Sequence, residues 1–133
     1  MRLLALDIGG ANLKAADGLG YAASQYFPLW QKPGELSAAL AGLIAAAPQA
    51  DRFVATMTGE LADCFATKAE GVSAILAALV AAAEPRELLV YLTDGSFVAP
   101  KYAGERPLLA AASNWHALAS FAGRFAPQGP SLL

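Results

Sequence analysis

Hydrophobic and polar positions change their period several times along this chain. In the N-terminal third, short apolar runs separated by glycine-rich turns predict strands over residues 3–8, 11–17 and 20–28. Asp17-Gly18 and Gly20 mark the turn between the second and third. A helical period then takes over at 33–47. Leu36, Leu40, Leu43, Ile44 and Ala47 share one face there, and Pro48 ends the run. Residues 52–57 predict a short strand. A helix follows, starting near Gly59 and covering 68–83, with Val72, Ile75, Leu76, Leu79 and Val80 inward and Pro85 as its stop. Residues 88–92 read as a buried strand, 93–96 as a turn and 97–99 as a hairpin arm. From 107 to about 125, Leu108, Ala111, Trp115, Leu118, Ala122 and Phe125 recur three and four apart. That spacing predicts one last helix with Trp115 in the core. Gln128-Gly129-Pro130 breaks it, and Ser131–Leu133 reads as the first step of a further strand.

The predicted order is β-β-β-α-β-α-β-(β)-α. Three antiparallel strands lead into β-α-β crossovers, which gives a mixed sheet with helices on its faces, an α/β domain. At 133 residues the chain is one domain with room for a real core.

The densest chemistry lies at the first turn. Leu3-Leu4-Ala5-Leu6 runs straight into Asp7, a carboxylate that is costly at the end of an apolar strand unless it is paired or holds a cation. Gly9 and Gly10 let the backbone turn tightly and approach a ligand. Beyond the turn, period two puts Asn12 and Lys14 on one face. Asp7 for Mg²⁺, the Gly9 and Gly10 amides for phosphate oxygens, and Asn12 and Lys14 beside them make a phosphate site on a β-hairpin. A tight hairpin with an exposed lysine is the plainer alternative. No helix follows the glycines and no G-x-x-x-x-G-K-[ST] run is present, so this is not a Walker loop.

Composition narrows the partners. Net charge is −2 and no basic run occurs, which argues against nucleic acid. The longest charge-free stretches, such as 71–83, fall short of the ~18–20 residues of a membrane span. Cys64 is the only cysteine, which excludes an internal disulfide and fits a reducing cytoplasm. It reads as a small buried residue. No secretory pattern follows Met1. Residues are 56% hydrophobic and only 15% charged, and mean hydropathy is +0.43. So few charges on so small a domain predict apolar surface covered by another copy or a complementary chain.

Four blocks then occur in order: Asp7-Ile8-Gly9-Gly10-Ala11-Asn12-Leu13-Lys14 after the first strand, Ala55-Thr56-Met57-Thr58-Gly59-Glu60-Leu61-Ala62-Asp63-Cys64-Phe65, Lys68 with Glu70-Gly71-Val72, and Ala111-Ala112-Ser113-Asn114-Trp115-His116-Ala117. Together they closely resemble the hydantoinase/oxoprolinase-like proteins of tetrahydromethanopterin-linked one-carbon transfer. The first block belongs to a wider superfamily; the Met-Thr-Gly-Glu-Leu-Ala-Asp run is specific. The resemblance implies a ribonuclease-H-like mixed sheet, one half of an actin, sugar-kinase or Hsp70-like fold. It implies a transferase of methanofuran or methylofuran synthesis that joins a furan-methyl diphosphate to the phenol of a glutamyl-tyramine and releases pyrophosphate. Family members continue with a second Asp-x-Gly strand and turn. Residues 1–133 are therefore expected to be the N-terminal half of a larger enzyme, incomplete by itself. Two alternatives remain: an ATP-dependent small-molecule kinase, in which Asp7 and Lys14 serve equally well, and a non-catalytic half needing a partner chain.

For the transferase, Lys14 with Mg²⁺ on Asp7 would stabilise the leaving pyrophosphate. Glu60 is the candidate base for the phenol. Thr58 and Gly59, where a strand gives way to a helix, are candidates for phosphate contact. Thr58 as a helix cap and Glu60 as a first-turn acid are their structural alternatives. Asp63 reads as a solvated or capping acid, and Asp94-Gly95 as a hairpin turn. Asn114 and His116 flank the final stripe, where either could reach a cleft.

Overall fold

A computed structural model describes residues 1–129. Six strands form one mixed sheet in the order β3-β2-β1-β4-β5-β6. They are β1 (Leu3–Ile8), β2 (Asn12–Ala16), β3 (Ala22–Tyr26), β4 (Arg52–Met57), β5 (Glu87–Tyr91) and β6 (Phe97–Val98). The first three run antiparallel to one another, β1, β4 and β5 are parallel, and β6 returns antiparallel on β5. The architecture is the α/β class expected.

The two N-terminal turns explain the register. The Gly9 amide donates to the Asn12 carbonyl at 3.0 Å, which closes the β1–β2 hairpin and sets Asp7 opposite Lys14. A Cβ on Gly9 would lie 2.9 Å from that carbonyl oxygen, so a side chain does not fit. At the second turn Asp17 Oδ1 accepts the amides of Leu19 and Tyr21 at 2.8 and 2.9 Å. Those two bonds hold the Asp17 carboxyl below its usual range.

Helix α1 (Leu36–Ala46) follows a short 3₁₀ turn at Pro33–Glu35. Its Leu36, Leu40 and Leu43 are buried, as the spacing required. Helix α2 (Lys68–Ala83) starts cleanly: Thr67 Oγ1 accepts the Glu70 amide at 3.1 Å, and the Glu70 carboxylate accepts the Ala66 amide. Helices α1 and α2 pack on each other and close one face of the sheet over Leu4, Leu6, Ile8, Phe53, Met57 and Val90.

A short helix that the sequence did not predict, α3 (Pro100–Gly104), comes first, and the helix predicted over 107–125 divides into two, α4 (Pro107–Ala110) and α5 (Ser113–Ala122). Ala112 breaks the run with a left-handed φ of 52°. Of the predicted apolar stripe, Ala111 joins the core and the large side chains do not. Leu108, Leu118 and Phe125 are exposed and Trp115 is 60% exposed. Cys64 is half-buried, its thiol 3.7 Å from the Leu29 carbonyl oxygen, and Val80 is largely exposed. The strand expected at Ser131–Leu133 lies outside the described residues.

Candidate active site

Strand period two gives the sheet a second face, and this one is open. Across it, Ser24, Lys14, Asp7 and Thr56 stand side by side on β3, β2, β1 and β4. Lys14 Nζ lies 3.7 Å from Asp7 Oδ2, and Thr56 Oγ1 donates to Asp7 Oδ1 at 3.2 Å. Asp7, expected to hold a cation, and Lys14, expected beside a phosphate, thus lie against each other. Around it runs a cleft of about 740 Å³, floored by the strands and walled by α5.

The cleft has two chemical ends. Asp7 and Lys14 mark one, on β1 and β2; Tyr91 and Phe97 mark the other, on β5 and β6, with Phe121 reaching in from α5 and Arg124 from the turn after it. Tyr91 and Phe97 have ring centroids 5.1 Å apart. The Tyr91 hydroxyl is 2.8 Å from His116 Nδ1. Arg124 and Tyr91 carry no local sequence signal, since only the tertiary fold brings them to the same cleft as Lys14. His116 was visible as a residue able to reach a cleft; its partner was not.

Glu60, Thr58 and Gly59 sit elsewhere, in the turn after β4. Gly59–Leu61 is a 3₁₀ turn rather than the start of a long helix. Glu60 is only 2% exposed and lines no part of the cleft. Its Oε1 accepts the Ala112 amide at 2.7 Å, and its Oε2 is buried without a partner among the described residues. Burial pushes its carboxyl above the usual range. The expectation of a base at Glu60 is corrected by this burial: the side chain ties down the α4–α5 turn. Gly59 is also buried, and a Cβ there would meet Leu29 Cδ2 at 2.7 Å, so its glycine serves packing. Thr58 makes no cap; its hydroxyl accepts from Asn114 Nδ2 at 3.2 Å.

Of the hairpin amides, Gly9 is spent on Asn12, which removes it as a phosphate donor. Gly10 keeps an open Cα position and Asn12 is exposed at the start of β2. Asp63 is exposed, as expected of a solvated acid. Asp94 builds the expected turn, its Oδ1 accepting from the amide and hydroxyl of Ser96, and these bonds lower its carboxyl.

Among the described residues no group of three or more His, Cys, Asp or Glu side chains converges to form a metal cage. Asp7 is a lone carboxylate beside a hydroxyl. That donor set fits Mg²⁺, which is commonly held by one or two carboxylates and completed by substrate phosphates.

The described residues thus form an α/β domain with an acid–lysine pair on a strand-turn-strand and an open cleft above it. No helix among the described residues is long and apolar enough to cross a membrane. The family model described as hydantoinase/oxoprolinase matches residues 52–129, and the chain belongs to that family. One relative is the (4-{4-[2-(gamma-L-glutamylamino)ethyl]phenoxymethyl}furan-2-yl)methanamine synthase of Methanocaldococcus jannaschii, 37% identical over 126 residues. The match covers 92% of this chain and 37% of that protein, so the chain spans little more than a third of the relative's length.

Proposed function

We propose that this chain supplies the diphosphate-binding half of a transferase of methanofuran-type cofactor synthesis. The relative's printed product is an aryl ether, with a phenol oxygen bonded to a furan methylene. Making such an ether from a furan-methyl diphosphate breaks a carbon–oxygen bond and leaves pyrophosphate carrying the electron pair. The catalyst must therefore place positive charge where the pyrophosphate forms. The observation that carries this reading is the Asp7–Lys14 pair, in register on β1 and β2 at the floor of the cleft.

In this reading Lys14 binds the diphosphate oxygens, with the Gly10 amide and the Asn12 side chain beside it. Arg124, in the turn after α5, adds a second cation. Asp7 would hold a Mg²⁺ ion arriving with the diphosphate, and such an ion would supply charge neutralisation at the leaving group. Thr56 fixes the Asp7 carboxylate by its hydrogen bond. The strand order, with three antiparallel strands followed by parallel β4 and β5, supports the ribonuclease-H-like, actin-like reading of the fold. Turnover needs groups on both sides of the transferred charge. The rest of the relative's length, or a partner chain, would supply them, and the exposed Trp115, Leu118 and Phe125 of α5 offer apolar surface for that contact.

NMR titration with pyrophosphate and Mg²⁺ tests the site. The amide of Gly10 and the signals of Lys14 should shift, and Asp7→Asn and Lys14→Ala should abolish the response. Shifts confined to the turn around Glu60, with none at Gly10 or Lys14, would overturn the reading.

A further inference from the structure

The aromatic end of the cleft has chemistry that a diphosphate does not need. Tyr91 and Phe97 lie against each other at 5.1 Å, and Phe97 is more than half exposed although it is an aromatic residue on a short edge strand. Phe121 faces the same space from α5. Exposed aromatic side chains around a concavity favour a flat apolar ligand, because ring pairs gain beyond simple burial. Within this apolar end stands one polar device. Tyr91 lines the cleft, and its hydroxyl lies 2.8 Å from Nδ1 of His116, the only histidine of the chain. A tyrosine backed by an imidazole can pass a proton onward, since imidazole is the side chain that takes up a proton near neutral pH. Glu60 is sealed under Ala112, and among the described residues the one other carboxylate lining this cleft, Asp7, stands at its opposite end.

We infer that the β5–β6 end of the cleft is the subsite for a phenol, and that the Tyr91–His116 pair receives the phenol's proton. This rests on the transferase reading above. The ring lies against Phe97 and Phe121 with its hydroxyl at Tyr91 Oη. The phenol O–H bond breaks and its proton goes to Tyr91 Oη, while the former Tyr91 proton passes to His116 Nδ1. That direction uses the tautomer with the other proton on Nε2. The phenolate oxygen bonds the furan methylene carbon of the diphosphate substrate. The carbon–oxygen bond to the diphosphate breaks with its electrons on oxygen, and pyrophosphate leaves toward Lys14. Tyr91 touches the substrate; His116 is a positioning residue that acts through it.

A lone histidine makes the test direct, because one set of imidazole signals reports the site. Tyramine, a para-substituted phenol, is titrated into the 133-residue protein alone and with pyrophosphate and Mg²⁺ present. Tyramine should move the His116 imidazole and the Tyr91 and Phe97 ring signals while leaving Gly10 unchanged. Tyr91→Phe should weaken tyramine about fivefold, the loss of one neutral hydrogen bond, with pyrophosphate binding unaltered. Phe97→Leu, which leaves the hydroxyl in place, should also weaken it. Tyramine shifts absent from residues 91, 97 and 116, or both variants binding tyramine within twofold of the parent, would overturn the phenol subsite even if pyrophosphate still moves Lys14. Pyrophosphate leaving Lys14 and Gly10 unmoved while tyramine behaves as expected would sink the diphosphate reading and leave the phenol subsite standing.

Discussion

Strand β4 shows the contrast between the two faces of the sheet within six residues. Phe53, Ala55 and Met57 are sealed under α1 and α2, each at most 1% exposed, while Val54 and Thr56 between them line the cleft. The same backbone, alternating by one residue, builds a dry core on one side and a wet floor on the other. Parallel strands are ordinarily covered on both faces. Here β1, β4 and β5 are parallel, yet only α5 leans over the second face. The uncovered side is small and mixed in character: Ala5, Ala16 and Ala22 leave room, and Asp7, Lys14, Thr56 and Tyr91 give it chemistry. The packed core lies on one face and the cleft on the other, so substitutions on the two should have different consequences.

Neighbouring substitutions on β4 should show the largest difference. Phe53→Ala empties a fully buried site and should cost about 3–5 kcal/mol. Val54→Ala, on the open face, should cost less than ~1 kcal/mol because little apolar area is lost. Urea unfolding of the two variants checks this, and equal losses would mean that both faces are covered in solution.

Gly71 comes next. A Cβ there would stand 2.7 Å from the Glu60 Cα and 2.8 Å from its carbonyl oxygen, a backbone that has nowhere to go. Gly71→Ala should therefore destabilise by roughly 1–3 kcal/mol although alanine is the better helix former. A rise in thermal midpoint would show that the turn after β4 yields easily.

Ala112 holds a left-handed φ of 52° that glycine adopts without strain. Ala112→Gly should stabilise by about 1 kcal/mol, read as a higher urea midpoint. A loss would mean that the strain is offset by contacts of the methyl group.

The smallest effect, and the most diagnostic, concerns pH. Burial raises the Glu60 carboxyl in the folded protein, so the unfolded state ionises first as pH rises. Stability from this group is full below the ordinary value of 4.5 and is lost as pH climbs through the raised folded value. Glu60→Gln keeps an acceptor for the Ala112 amide and removes the charge. Its stability should decline less than the parent's between pH 4.5 and 7. Parallel stability curves across that range would show that the carboxylate is not buried in solution.

What the sequence revealed divides at about residue 99. Strands β1 to β5, α1 and α2 were legible because most carry their own punctuation, Gly9-Gly10, Asp17-Gly18, Pro48 and Pro85, although the start of α2 at Lys68 was read too early, near Gly59. Asp7 and Lys14 were legible as candidates because they flank the two-glycine turn; their pairing with each other was not read. Beyond residue 99, spacing alone misled. Three- and four-residue intervals say which residues share a helix face, not whether anything lies against it. The break at Ala112 is also made from a distance. Glu60 takes the Ala112 amide and Ser113 Oγ accepts the Met57 amide, partners more than fifty positions upstream. Tyr91–His116 and Arg124 were beyond local reading on the same grounds, and Glu60 was misassigned because its acidity is visible in the sequence and its burial is not.

The position of β1 also bears on how the chain is made. It is synthesised first, and β2 and β3 can zip onto one of its edges as soon as they exist. Its other edge must wait for Arg52–Met57, with all of α1 translated in between. Closing that long loop is the slow step of such a topology. Until then β1 keeps an open edge that can pair with any other strand. Slow translation between α1 and β4 should lower the yield of soluble protein more than an equal delay anywhere after β4.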